Sequence, residues 1–253
     1  MKQIPNICTL LNLVAGFIAI ILTLQTGETI LNLQGGEWKI YLPEKIWWAS
    51  IFLGLAAVID FLDGFVARLF KATSEMGKQL DSLADLVSFG VAPGLILFQL
   101  LRISFAQQPD GLETPVYWLM PCILFPMAAA WRLARFNLDT TQRNHFEGLP
   151  TPAAGLLVAS FPLLLLYNPL GIQPVLLNQW VLYTICLVIP WLMVSKLTLL
   201  NLKFKSFSFT DNKSRYILLA VSAVCIALLG WLSIPAIFIT YILVSLLFKN
   251  QIK

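Results

Sequence analysis

Apolar runs about twenty residues long recur along this chain, separated by short polar stretches, and they leave few options for its fold. A helix needs about 20 apolar residues to cross the hydrocarbon of a bilayer, and only helices and closed barrels satisfy their backbone there. Eight runs are predicted as helices: roughly 5–24, 46–70, 80–103, 115–136, 152–168, 176–196, 215–232 and 234–249. The fifth is short and contains Pro162. The last two form a hairpin, with Ser233-Ile234-Pro235 read as its tight turn. Composition agrees: only 12% of the 253 residues are charged, about half the share in a soluble domain and too little to cover a globule of this size. The expected fold is all-α: a polytopic integral membrane helical bundle of about eight transmembrane helices, forming a single membrane domain.

The first run follows Lys2 in the manner of a signal peptide. Pro5, Asn6 and Asn12 interrupt its start, however, and no small-x-small cleavage site ends it, so it is expected to stay as a span. The four cysteines make no C-x-x-C pair and suggest neither a disulfide framework nor a zinc site. A single histidine excludes multi-histidine metal sites. With the N-terminus placed in the cytoplasm, fourteen of the seventeen lysines and arginines fall on the cytoplasmic side. Only Lys39, Lys45 and Arg102 fall on the other. This asymmetry predicts cytoplasmic N- and C-termini and an even number of spans. The polar stretch 25–45 reads as an exposed outer connector.

Four of the thirteen acidic residues sit within one short stretch: Asp60, Asp63, Asp81 and Asp85. Ionisable groups inside a span are costly unless compensated, and they mark functional candidates. Asp60 and Asp63 are i, i+3 on span two; Asp81 and Asp85 are i, i+4 on span three. Each pair therefore shares a helix face. The short loop at about 71–79 predicts that the two helices are antiparallel neighbours, with all four carboxylates converging a little below the cytoplasmic surface. Four carboxylates in a low-dielectric pocket need cations. Arg68 and Lys78 are near in sequence but supply too little basic charge to balance them. All-oxygen ligands favour Mg²⁺, Mn²⁺ or Ca²⁺, and a set of this size suits two ions, the arrangement that stabilises in-line phosphoryl displacement. Gly64 and Ala67 lie beside the carboxylate face and leave room for a ligand. Arg68 can donate to phosphate, and Gly77 and Ser82 flank the start of span three, where free N–H groups favour anions. On spacing alone, other readings stand beside this one. Intramembrane Asp pairs also occur in proton or cation transporters, Gly64 and Ala67 suit close helix packing, and Arg68 suits a topology anchor.

Residues 60–85 read DFLDGFVARLFKATSEMGKQLDSLAD, or D-x2-D-G-x2-A-R-x8-G-x3-D-x3-D. This resembles the signature of the CDP-alcohol phosphatidyltransferase family at every fixed position. Two further segments resemble one branch, the membrane-embedded phosphatidylserine synthases: IPNICTLLNLVAG at 4–16, and RLARFNLDTTQRNHFEGLPTPAAG at 132–155. The resemblance implies transfer of a phosphatidyl group from CDP-diacylglycerol to L-serine, with CMP leaving. It implies metal ligation by Asp60, Asp63, Asp81 and Asp85, with Asp85 also the general base. It implies CDP binding by Asn6, Thr9, Gly64, Ala67, Arg68, Gly77 and Ser82.

For the acceptor, Arg132 and Arg135 stand i, i+3 at the cytoplasmic end of span four and suit the carboxylate of serine, with Asn137 adding a hydrogen bond. Both arginines also suit plain headgroup anchors. Pro150 and Pro152 shape the start of span five, and His145 reads as a surface residue. The implied cofactor is Mg²⁺ or Mn²⁺, the implied partners are lipid and a second copy in a homodimer, and no nucleic acid is expected. Residues 1–168 are expected to form the catalytic core and 169–253 additional C-terminal spans in which no site is inferred. A short chain of this kind is expected in a bacterial inner membrane. The alternatives are another acceptor (glycerol phosphate, inositol or inositol phosphate) and, more remotely, a cation transporter.

Overall fold

The computed structural model describes residues 4–25, 31–34, 37–40, 45–69, 74–108, 111–138, 146–200 and 212–248. It is a helical bundle, and a helix occupies each of the eight apolar runs. Helix α1 spans Ile4–Leu24 and α2 Ile46–Leu69. Between them Leu31–Gln34 (β1) and Glu37–Ile40 (β2) pair antiparallel, Leu31 opposite Ile40 and Gln34 opposite Glu37. The sequence reading took this stretch as a plain connector. Two short alternating runs around Gly35-Gly36 are its hairpin signal.

The third run starts earlier than predicted. Helix α3, Glu75–Asp85, begins at a Ser74 N-cap whose Oγ accepts the Gly77 N–H at 3.0 Å. This puts a polar first turn ahead of the apolar run, so hydropathy alone misses it. Leu86–Val91 then widens into a π-helical turn, and α4 continues from Ala92 to Ala106. The Ala92 N–H bonds to Val87 O, five residues back. Pro93 explains the widening: it has no N–H to offer Phe89, and its ring would crowd that carbonyl in a regular helix.

The fourth run opens as a 3₁₀ helix, Val116–Ile123, with Pro121 inside it, and becomes α5 at Leu124–Leu138. The fifth is two helices, α6 (Thr151–Ala159) and α7 (Phe161–Tyr167), divided at Ser160 ahead of Pro162. A short α8 (Gln173–Leu176) leads to α9 (Gln179–Val194). Phe146–Glu147 (β3) pairs antiparallel with Thr198–Leu199 (β4). Helices α10 (Lys213–Leu229) and α11 (Ser233–Leu247) form the predicted hairpin, but its turn lies at Gly230–Leu232, not 233–235. Gly230 has φ +52°, a conformation suited to glycine, while Pro235 sits in the first turn of α11, where a missing N–H costs nothing.

Among the described residues, five helical stretches are long and apolar enough to cross a membrane: Pro5–Leu24, Ile46–Val66, Glu75–Ala106, Val116–Leu138 and the paired Lys213–Leu247. Thr151–Tyr167 and Gln179–Val194 are shorter. The chain is an integral membrane protein. Aromatic rings gather at the ends away from the aspartates: Trp47 stacks on Trp48, Tyr167 on Trp231, and the Tyr183 hydroxyl donates to Trp118 O, as suits a membrane–water interface.

Small residues set the packing around the π turn. A Cβ on Gly16 would lie 2.2 Å from Ser88 Oγ, one on Gly90 would lie 2.9 Å from the Ala129 methyl, and one on Gly155 would lie 2.9 Å from Phe89 O. Helices α1, α5 and α6 therefore close on Leu86–Val91 at backbone distance. Helix α1 also corrects the expected pairing of α2 with α3. It packs along α2 and against α3, whereas α2 and α3 share few close approaches. The space left between them is where the carboxylates point.

Candidate active site

Helices α2 and α3 each contribute two carboxylates. The ligand oxygens of Asp60, Asp63 and Asp81 lie within 4.8 Å of one another. Asp63 is buried, while Asp60 and Asp81 are half-buried, so the group opens on the Asp60 and Asp81 side. Three carboxylates this close repel unless a proton or cation lies among them. A hard divalent ion fits an all-oxygen set of this span, so the triad can bind a metal. Asp85, also expected as a ligand, stands outside this close group. It is buried, its carboxyl meets that of Asp60, and its Oδ1 accepts from Asn12 Nδ2 at 3.2 Å.

Helix α1 supplies the third wall. Thr9 Oγ1 donates to Asp63 Oδ2 at 2.7 Å. Asn6 Oδ1 lies 3.1 Å from where a Gly77 Cβ would sit, so Asn6 and Gly77 share one spot. Ser88 Oγ donates to the Asn12 carbonyl at 3.0 Å, fixing α1 against the π turn. The sequence reading placed Asn12 in the 4–16 segment that resembles the family's but gave it no role. Its signal was available: Asn6, Thr9, Asn12 and Gly16 form a polar and small stripe at helical spacing in an otherwise apolar helix. Gly64 is half-buried one turn beyond Asp60. The side chains of Ala67 and Arg68 lie outside the described residues, as do Arg143 and His145.

The predicted acceptor residues divide into two groups. Asn137 Nδ2 donates to Ser82 Oγ at 2.8 Å, and Lys78 Nζ donates to Asn137 O at 2.9 Å. Asn137 thus ties the end of α5 to α3 beside a residue expected to bind CDP. Arg132 lies on the Asp85 side: its guanidinium is within electrostatic reach of that carboxyl, and Nη1 donates to Thr151 Oγ1 at 3.1 Å. Arg135 is half-buried one turn further on. Thr151, fully buried at the first residue of α6, was missed by the sequence reading, as was Tyr241 of α11, which also interacts with Arg132. The F-x-G-L-P-T-P segment is what places Thr151. The Gly148 N–H donates to Leu197 O and the Leu149 N–H to Leu192 O, and Gly148 at φ +72° leaves no room for a Cβ, which would lie 2.4 Å from Met193 O.

The sequence that builds this cleft is matched among known proteins. The CDP-alcohol phosphatidyltransferase family profile matches residues 2–204. The chain belongs to that family. Among relatives, the CDP-diacylglycerol–serine O-phosphatidyltransferase of Methanocaldococcus jannaschii is 32% identical over 210 residues, covering 83% of this chain and 85% of that protein. The Bacillus subtilis protein of the same name is 30% identical over 172 residues, covering 67% of this chain and 80% of its own length. That of Mycobacterium leprae is 38% identical over 144 residues; the match takes in 53% of this chain and spans 45% of the relative. As a member of this family the chain is a phosphotransferase, and its aspartate triad could bind a metal.

Proposed function

We propose that this protein transfers the phosphatidyl group of CDP-diacylglycerol to L-serine, giving phosphatidylserine and CMP. One observation carries the reading: a membrane-embedded carboxylate triad that can hold a metal stands next to a fourth aspartate fixed by an amide, with an arginine facing that aspartate. The names of the relatives supply the acceptor.

The donor's acyl chains stay in the bilayer and its CDP headgroup lies across Asn6, Thr9, Gly64, Ala67, Arg68, Gly77 and Ser82. Asp60, Asp63 and Asp81, with Asp85 at their edge, would hold two Mg²⁺ or Mn²⁺ ions, whose charge would offset that developing on the pyrophosphate. Asp85 takes the proton of the serine hydroxyl. The hydroxyl oxygen bonds to the lipid-side phosphorus, the bond from that phosphorus to the bridging oxygen breaks, and CMP departs. Arg132 and Arg135 receive the serine carboxylate. Asn137, bonded to Ser82, holds the rim where the two subsites meet.

In this reading the chain crosses the membrane eight times, with termini and site on the cytoplasmic side of a bacterial inner membrane, and works as a homodimer. The catalytic core is residues 1–168, and 169–253 are additional spans. The test is CMP release by purified protein with CDP-diacylglycerol, Mg²⁺ or Mn²⁺, and each candidate alcohol. Release that needs L-serine, stops with chelator and is lost in Asp85→Asn is expected. Release with another alcohol instead would keep the metal chemistry and overturn the acceptor; ion flux without CMP release would restore the transporter reading.

A further inference from the structure

The site contains two buried polar atoms without hydrogen-bond partners among the described residues: Asn12 Oδ1, an acceptor, and Arg132 Nε, a donor. Buried polar atoms are nearly always paired, so each such orphan requires a reason. Asn12 is completely buried on α1. Its orientation is not free. Nδ2 faces the Asp85 carboxylate at 3.2 Å, where only the donating end of the amide is tolerated. Its backbone is pinned by Ser88 at 3.0 Å, with no space for anything larger than glycine at position 16. The amide oxygen is therefore held buried beside the Asp85 carboxylate with its lone pairs unused. What fits there is a ligand group that donates hydrogen bonds.

We propose that Asn12 reads the ammonium group of the acceptor while its other amide atom positions Asp85. The proposal rests on the serine reading above and deepens it. The serine ammonium sits on the carbon next to the one bearing the hydroxyl, so a hydroxyl at Asp85 brings its ammonium beside Asp85's own hydrogen-bond partner. The carboxylate on the same carbon is left for Arg132, which faces Asp85 from α5. Asn12, Asp85 and Arg132 then meet the three polar groups of an α-amino acid that carries a hydroxyl, and an acceptor lacking the amine leaves Asn12 Oδ1 orphaned.

Two measurements test this. The wild-type enzyme is assayed for CMP release with L-serine and with 3-hydroxypropanoate, which replaces the amine by hydrogen. Discrimination of at least about a hundredfold in kcat/KM is expected, since a buried acceptor is left unpaired; equal use of both acceptors overturns the proposal without any variant. Asn12→Ala is then expected to raise the KM for L-serine about tenfold or more and to narrow that discrimination, with the KM for CDP-diacylglycerol within about twofold of wild type. Asn12→Asp keeps an oxygen in place but loses the donor to Asp85, so kcat is expected to fall more than binding of serine. A fall in kcat alone in Asn12→Ala, with serine KM unchanged, would show that the residue serves only Asp85. A changed metal requirement with serine KM unchanged would show that the oxygen faces the metal's water shell. Either result overturns the assignment of the ammonium. No serine-dependent release in the wild type would instead overturn the function on which it rests.

Discussion

The stretch Glu75–Ala106 and the hairpin Lys213–Leu247 are both apolar enough to cross a bilayer, yet over an 18-residue apolar window 67% of the first is buried in the protein and only 11% of the second. The first contains Asp85, Ser88, Gln99 and Ser104 among its buried residues, along with Gly90 and Gly94 where other helices close in. Gln99 spends its amide on Thr23 O of α1 at 2.9 Å. The second buries Ser214, Ser233 and Ser245, but nothing packs against its Gly230, and Ile226, Leu228 and Leu247 face outward. Hydropathy places both in lipid. The polar and small residues decide which one faces protein, because in lipid the helix interface is made by close backbone approach and by hydrogen bonds rather than by burial of apolar area.

The largest expected effect sharpens this contrast at its functional end. Asp63→Ala removes a buried carboxylate of the proposed metal site and leaves the Thr9 hydroxyl with Pro5 O alone as acceptor. Turnover is expected to drop by at least about 10³-fold, while the protein still inserts and purifies as a folded species. CMP release and size-exclusion profile, read together, check it; normal turnover would refute the metal assignment. Ile226→Ala on the outward face of the hairpin is expected to leave turnover within about twofold.

The next effect is on stability. Gly155→Val forces a branched side chain onto Phe89, where even a Cβ would lie 2.9 Å from a backbone oxygen. Overpacking of this kind costs about 1–3 kcal/mol, and thermal unfolding in detergent should move down by several degrees. The same Val at Ala223 of α10 should move it much less. Equal shifts at both positions would mean that the hairpin is packed as tightly as the centre.

A third prediction concerns the link between packing and chemistry. Gly148→Ala places a Cβ on Met193 O and strains a positive φ. The strand Phe146–Glu147 and then Thr151 must shift, and Arg132 loses the geometry of its partner. A rise of about threefold to tenfold in the KM for L-serine is expected, with the KM for CDP-diacylglycerol little changed. A matched loss for both substrates would place Gly148 with global stability instead.

Much of this arrangement could be read without coordinates, and the reasons differ by residue. Asp60, Asp63, Asp81 and Asp85 stood out because a charge in an apolar run is costly enough to have a purpose. The helices stood out because lipid permits little else. The π turn after Asp85 did not, since it depends on Pro93 meeting the Phe89 carbonyl in three dimensions. Thr151 and Tyr241 were equally hidden: a threonine beside two prolines reads as a helix start, and a tyrosine in an apolar helix reads as interface. Asn137 was assigned to the acceptor by its neighbours in sequence, but its amide reaches Ser82 on another helix. Side-chain partners across helices are long-range facts that local spacing does not carry.

The smallest expected effect tests whether the hairpin is as separate as its exposure suggests. The Tyr241 hydroxyl donates to Leu200 O at 3.1 Å, and Ser245 Oγ accepts the Leu200 N–H at 3.1 Å. Both clip the hairpin to the end of β4, which pairs with β3 and so leads to Gly148, Thr151 and Arg132. Tyr241→Phe keeps the ring and deletes one hydrogen bond, worth about 1 kcal/mol. Because Ser245 still holds Leu200, the serine KM is expected to rise by no more than about twofold. An effect as large as that of Gly148→Ala would mean that α11 holds Arg132 directly, through the Tyr241 hydroxyl that lies near the guanidinium, rather than through the strand. The hairpin would then be a wall of the acceptor site whose outward faces meet lipid, and the division between a catalytic core and added spans after residue 168 would have to move.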